Sequence, residues 1–337
     1  MKKAERDGRR ASEFNSALNR YSKIHNCILC GKHMTSACNS HIVPQFVLRN
    51  ITENGQISYG TALNKRAIFE SDKPTGINNA HTFRLICKEC DRSRFCNYEN
   101  PFILERFDSL DSYARNQVLC EMAIKAHVAH INLKYRNMVT RDMFTSGQLG
   151  EKERRGEVVF LERFDIEEHE QSIKRLSKNH ESGNNQFTIL YDKVLNYTTK
   201  IATQTVINFL FDLNGKQIFD PLCFIDNKCH YFYLMILPFE KTTRVLFYVE
   251  NQDAEDVSSI VEQFRDLNEE ERIHFLFIAL IVHDEQFFMS PSLADEIKKN
   301  DKKLVGLYSK TDELLAKHRK AIKDFRKYKN YLLVEKN

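Results

Sequence analysis

The sequence predicts an α+β protein with a metal-stapled N-terminal module, on three observations. Two identical C-x-x-C pairs, Cys27-Ile28-Leu29-Cys30 and Cys87-Lys88-Glu89-Cys90, frame one stretch of chain. Residues 110–139 carry apolar side chains at helical spacing (Val118, Met122, Ala126, Ala129) and contain no Pro or Gly, so they read as one long helix. Residues 231–237 and 244–249 are rich in β-branched and aromatic side chains and flank a turn near Pro238, which reads as a hairpin.

The cysteine pairs come first in the chain and carry the most information. Two thiolates two residues apart in a tight knuckle grip one ion from one side, and two such knuckles build a tetrahedral zinc site. Gly31 directly after Cys30 suits the turn that a knuckle needs. The second pair follows a short strand, Phe83-Arg84-Leu85-Ile86, and a helix can open from Asp91 onward. Strand, knuckle and helix start are the second half of a treble-clef finger. Between the pairs lie 56 residues, more than a finger needs, so the insert is expected to carry function. Cys38, Cys96, Cys120, Cys223 and Cys229 lack a partner spacing, although Cys38 and Cys96 are near enough in sequence to replace a ligand. An odd total of nine and the lack of a secretory signal argue against a disulfide framework.

Cys27-x-x-Cys30, then Ser40-His41-Ile42-Val43-Pro44, then Cys87-x-x-Cys90-Asp91 resembles the four-cysteine branch of the HNH, or ββα-metal, endonucleases. The resemblance spans about residues 24–108. It is nearest to a bacterial sub-group whose histidine motif begins with Ser, found in phage-defence settings. It implies an endonuclease that hydrolyses phosphodiester bonds in nucleic acid, DNA before RNA. It implies structural zinc on Cys27, Cys30, Cys87 and Cys90. His41 would be the general base that deprotonates the attacking water, for which an imidazole titrating near neutral pH is suited. Asp91, at the ligand position after the second knuckle, would hold a catalytic Mg²⁺ or Mn²⁺ by a hard oxygen.

Two residues depart from the family pattern. Ser40 stands where an acidic or imidazole ligand is usual, so the cation needs a further carboxylate, and Glu99, eight residues after Asp91, is the nearest candidate. Asp91 replaces the usual amide or imidazole. The alternative is a catalytically silent zinc module that serves as a nucleic-acid or protein adaptor. In that case His41 is a partly buried structural side chain and Glu99 a solvated one. His33 reads as a solvated loop residue, and His81 as an unspecified phosphate contact.

Composition fits a cytoplasmic protein with room for two or three domains. The chain has 337 residues, 42% apolar, with 24 Phe and no Trp, and no apolar run long enough to span a membrane. The net charge of +4 is unevenly spread: residues 298–329 carry an excess of +8, which leaves −4 on the rest. This basic segment can track a phosphate backbone or form a solvated helix docked by Leu304, Leu307, Tyr308, Leu314, Leu315, Ile322 and Phe325. The basic N-terminus, residues 1–10, precedes a short helix expected over 11–24.

The remaining elements follow in order. His127 and His130, three apart on the long helix, could share a metal but read as core. Residues 147–156 are expected as a loop, 160–179 as a charge-rich helix, and Ser182-Gly183-Asn184-Asn185 as a break. Residues 187–191 read as a strand, 202–213 as a buried helix closed by Asn214-Gly215, and 257–264 and 269–282 as helices. Asn268 is the N-cap of the last, with Glu271 at its third position. His283-Asp284-Glu285 reads as a helix exit rather than a cleft lining. The expected domains are a zinc-binding module over 1–108, a helical segment over 109–185, an α+β domain over 186–292 and a basic helix over 293–337. The larger C-terminal part is expected to meet a regulatory partner or a second copy of the chain.

Overall fold

The computed structural model describes residues 26–35, 38–63, 74–80, 82–144, 151–183, 185–219, 228–284, 286–308 and 314–333. The expected N-terminal helix, His81 and Cys223 lie outside them. The chain forms two compact units, each discontinuous in sequence: 1–42 with 82–185, and 43–81 with 186–337. Strand β1 (Ser40–His41) ends in the first unit. The chain then builds helix α1 (Gln45–Leu48) and strands β2 (Gln56–Tyr59) and β3 (Thr75–Gly76) in the second, and returns as β4 (Thr82–Phe83). Most of the insert between the cysteine pairs therefore belongs to the second unit, so a single module over 1–108 is not what forms. The reason is strand pairing, since β2 finds its partner near residue 288.

In the first unit β4 pairs antiparallel with β1, Ser40 opposite Phe83 and His41 opposite Thr82. Helix α2 (Lys88–Arg94) starts on the second cysteine pair, followed by α3 (Pro101–Glu105). Helices α4 (Ser112–Phe144) and α5 (Glu151–Ser182) then pack as a long hairpin. Helix α4 agrees with the sequence. Helix α5 starts earlier than expected, so residues 151–156 are helix rather than loop. Glu, Lys and Arg around Gly156 favour helix enough to outweigh the ~1 kcal/mol that an interior glycine costs. The helix stops at Gly183, whose φ of +68° is the left-handed C-terminal turn that glycine accepts most readily.

His127 and His130 on α4 meet His169 on α5 as a buried imidazole cluster, with His127 Nδ1 2.7 Å from His169 Nδ1. Burial pushes all three imidazoles down, His130 to about 3. An unfolded histidine titrates near 6.5, so between that value and the folded one the unfolded chain binds protons that the folded chain refuses. Stability is therefore full above about pH 6.5 and falls as pH drops, by ~1.4 kcal/mol per pH unit for each such histidine. Urea unfolding midpoints should fall between pH 7 and pH 5, and His130→Leu should flatten the slope. Equal midpoints at both pH values would contradict this.

The second unit is built on a seven-stranded sheet in the order β3-β2-β9-β6-β7-β8-β5, antiparallel throughout. Its remaining strands are β5 (Phe187–Leu195), β6 (Ile201–Ile207), β7 (Phe232–Pro238), β8 (Thr243–Glu250) and β9 (Phe288–Met289). The β7–β8 hairpin is where the sequence placed it. The helix expected over 202–213 is instead strand β6 and the turn after it. A continuous apolar run does not distinguish buried strand from buried helix. Here Thr203, Thr205, Val206 and Ile207 are β-branched, and every residue of β6 is buried between β9 and β7. Asn214-Gly215 does turn the chain, with Gly215 at φ +80° and Asp212 accepting from the N–H groups of Asn214 and Lys216.

Helices α6 (Asn251–Ala254) and α7 (Ser258–Arg265) follow β8. Helix α8 (Glu269–His283) opens on the expected box, Glu271 N–H to Asn268 Oδ1 at 3.0 Å and Asn268 N–H to Glu271 Oε2 at 3.1 Å. All nine residues from Phe275 to His283 are apolar except the last, and Phe275, Phe277, Leu280 and their neighbours sit in the core. His283 ends the helix. Asp284 accepts from Thr203 Oγ1 at 2.9 Å and from the Gln286 N–H at 2.7 Å, and Glu285 lies outside the described residues.

The C-terminal region is not one long helix. It is α9 (Pro291–Asn300), α10 (Lys302–Val305) and α11 (Leu314–Lys323). Asp301 interrupts it by accepting from the Leu304 N–H at 2.8 Å, so it caps a new helix start. Leu304, Leu307, Ile322 and Phe325 are buried in the core as their spacing implied, whereas Leu315, expected on the same face, is exposed. Part of the basic charge is engaged: Arg326 pairs with Glu271 at 2.7 Å, and Arg319 donates to the Gly215 carbonyl at 2.6 Å. Among the described residues no helix is long and apolar enough to cross a membrane.

Candidate metal centre

The two cysteine pairs converge. One ligand atom from each of Cys27, Cys30, Cys87 and Cys90 lies within 4.8 Å of the others, and the Cys30 and Cys87 sulfurs are 3.9 Å apart. A tetrahedral ion with Zn–S bonds of about 2.3 Å needs sulfurs about 3.8 Å apart. The four thiols therefore fit a structural metal such as zinc.

Local backbone chemistry explains why they meet. In the first knuckle the Gly31 N–H returns to the Cys27 carbonyl at 2.7 Å, and Gly31 takes φ +70°. In the second, Cys87 is the N-cap of α2, and its sulfur accepts from the Cys90 N–H at 3.4 Å. The Ile28 N–H bonds the Leu85 carbonyl at 3.0 Å, which ties one knuckle to the other. Burial pushes the Cys27 and Cys90 thiols up, so a cation bound there must displace protons. Cys38 and Cys96 are not ligands. Cys38 bonds Asp91, and Cys96 bonds the Ser93 carbonyl at 3.4 Å.

Beside this centre lies a carboxylate cluster. Ser40 Oγ donates to Asp91 Oδ1 at 2.5 Å, and the Cys38 thiol donates to Asp91 Oδ2 at 3.1 Å. Burial, and then the bond to Asp91, push Cys38 up to about 11, which keeps it a neutral donor. The contact brings β1, which carries half-buried His41, against α2, which carries Asp91.

Glu99 has a different partner. Lys125 of α4 bonds its Oε1 closely, whereas Lys125 Nζ is 3.7 Å from Asp91 Oδ1. The Lys125 side chain is 1% exposed and its ammonium lies 4.6 Å from the centre of the Phe95 ring. Burial pushes the Glu99 carboxyl up, against the pull of Lys125. Glu121, one turn before Lys125, holds the segment that carries Glu99. It accepts from the N–H groups of Asn97 at 3.0 Å and Tyr98 at 2.9 Å, from Asn97 Nδ2 at 2.6 Å, and pairs with His180 at 3.2 Å. A buried carboxylate with this many donors is satisfied without a cation.

Thus the structure groups the four cysteines, and separately groups Ser40, Asp91, Lys125 and Glu99. Lys125 and Glu121 are absent from the sequence reading. The available signal was two charges four apart on the apolar stripe of α4, where unpaired charge is costly. No protein-family model, curated protein or solved structure matches this chain.

Proposed function

We propose that the zinc-stapled ribbon and helix hydrolyse phosphodiester bonds in nucleic acid, DNA before RNA, as the HNH-like reading implies. The observation that carries it is the 2.5 Å contact between Ser40 and Asp91. These are the two positions that flank a cation in the resembled family, and they meet beside the four cysteines with His41 next in the chain. His41 is the general base: its imidazole takes a proton from the attacking water. Asp91 offers a hard oxygen to Mg²⁺ or Mn²⁺, with Ser40 Oγ beside it. Asp91 and Ser40 would hold the ion, and it would supply charge stabilisation at the phosphate. Glu99 serves Lys125 instead, and Lys125 keeps positive charge close to where phosphate would bind. An effector in antiviral defence is the setting that the Ser-first motif supports.

One observation favours the second reading, a silent adaptor that binds nucleic acid or protein. The buried Lys125 ammonium partly neutralises Asp91 and competes with a divalent ion. Incubation with supercoiled plasmid in Mg²⁺, in Mn²⁺ and in EDTA separates the two. Nicked and linear products with metal and none in EDTA are expected, with zinc content checked after the chelator step. Binding of plasmid without cleavage in any lane would leave the adaptor.

A further inference from the structure

A second group of metal-ligating side chains lies in the other unit, at one end of the β7–β8 hairpin. Phe232 opens β7 opposite Val249, one residue before β8 ends at Glu250. Antiparallel pairing therefore brings His230, two residues before β7, to the place where α6 leaves β8. Asp253 sits on α6, and Asp256 follows in the turn that closes it. His230 Nδ1 lies 3.4 Å from Asp253 Oδ1 and 3.8 Å from Asp256 Oδ2. One ligand atom from each residue falls within 4.8 Å of the others.

One atom in this group points to a ligand. Among the described residues, Asp253 Oδ2 is buried and has no hydrogen-bond partner, while His230 Nδ1 faces the other Asp253 oxygen. The Asp253 side chain is 1% exposed. A buried carboxylate oxygen without a donor costs about 1–3 kcal/mol or more, so such atoms are rarely left bare. The other Asp253 oxygen already holds a cation, the Lys228 ammonium at 2.5 Å. That lysine is half-exposed and can turn into solvent, whereas Asp253 cannot. Asp256 is also half-exposed, which gives an ion a way in.

We propose that His230, Asp253 and Asp256 form a divalent-metal site, distinct from the cysteine centre and independent of any nuclease activity. One imidazole and two carboxylates are a mixed nitrogen and oxygen set. It suits a first-row divalent ion such as Mn²⁺ or Zn²⁺ rather than a soft ion that demands thiolates. Lys228 is its competitor: the ammonium occupies one face of Asp253 until the ion arrives.

The test is titration of Mn²⁺ into the full-length, zinc-replete chain, followed by electron paramagnetic resonance of the free aqueous ion. One Mn²⁺ per chain should be retained at this site. Asp256→Asn and His230→Ala should each weaken its binding by at least about tenfold, as loss of a direct ligand should exceed the 10–100-fold seen for outer contacts. Asp91→Asn should leave this Mn²⁺ untouched, which separates it from an ion bound at the proposed nuclease site. Lys228→Ala should tighten binding, on the order of tenfold, because it removes a competing positive charge. Asp256 is exposed enough that its asparagine variant keeps the fold, which circular dichroism checks. No bound Mn²⁺ in the parent would overturn the proposal, as would unchanged binding in both ligand variants.

Discussion

Cys90→Ser should strip the metal from the N-terminal centre and unfold the β1–β4 ribbon with α2. Cys90 and Cys27 are buried, and neither the two-residue strands nor the seven-residue α2 holds a core of its own. A bound ion would supply what packing does not. Structural zinc in small modules contributes on the order of 10 kcal/mol of apparent binding free energy near neutral pH. A hydroxyl in place of one thiolate forfeits most of that. Elemental analysis should find one zinc per chain in the native protein and none in Cys90→Ser, and hydrogen exchange should lose protection over 38–42 and 82–94. Cys96→Ser is the control: its thiol bonds only a carbonyl of its own helix end, so zinc content and protection should stay as in the parent. Freshly purified native protein without zinc would contradict the centre altogether.

Lys125→Met should cost about 3 kcal/mol, near the low end for removing one partner of a buried ion pair. Methionine keeps the length and the contact with Phe95 but leaves Asp91 and Glu99 facing each other without a cation. Their partial exposure lets water soften the loss. The same variant should respond more strongly to a divalent cation, because both carboxylates rather than Asp91 alone are open to Mg²⁺ or Mn²⁺ once the ammonium is gone. Thermal melts should show the variant destabilised, and millimolar Mg²⁺ should raise its melting temperature more than that of the parent. A variant as stable as the parent, or one indifferent to Mg²⁺, would show that Lys125 does not organise the cluster.

Local signals in the sequence carried the secondary structure wherever they were strong. The Asn268–Glu271 box, the unbroken stripe of α4 and the β7–β8 hairpin all form as their residues imply. Failures came where local pattern has two solutions. The run 201–207 is apolar enough for either period, and its place in the middle of the sheet decided for strand. Asn54-Gly55, with both residues at positive φ, is a tight turn into β2 that is absent from the sequence reading. Nothing local, however, says that β2 pairs with β9, more than 200 residues away, and that pairing splits the two units. The cysteine spacing showed which four thiols meet, because ligand spacing is itself the geometry. The neighbouring cluster was half legible. Ser40 and Asp91 meet, but Glu99 was assigned to a cation without sight of Lys125, which reaches it from a helix 26 residues on.

The most direct measurement is plasmid cleavage by zinc-replete His41→Ala beside the native chain, with Mg²⁺ present. The HNH-like account predicts that native protein converts supercoiled DNA to nicked and linear forms. His41→Ala should leave the DNA supercoiled while its zinc content and melting temperature match those of the parent. Equal cutting by the two proteins would contradict the account.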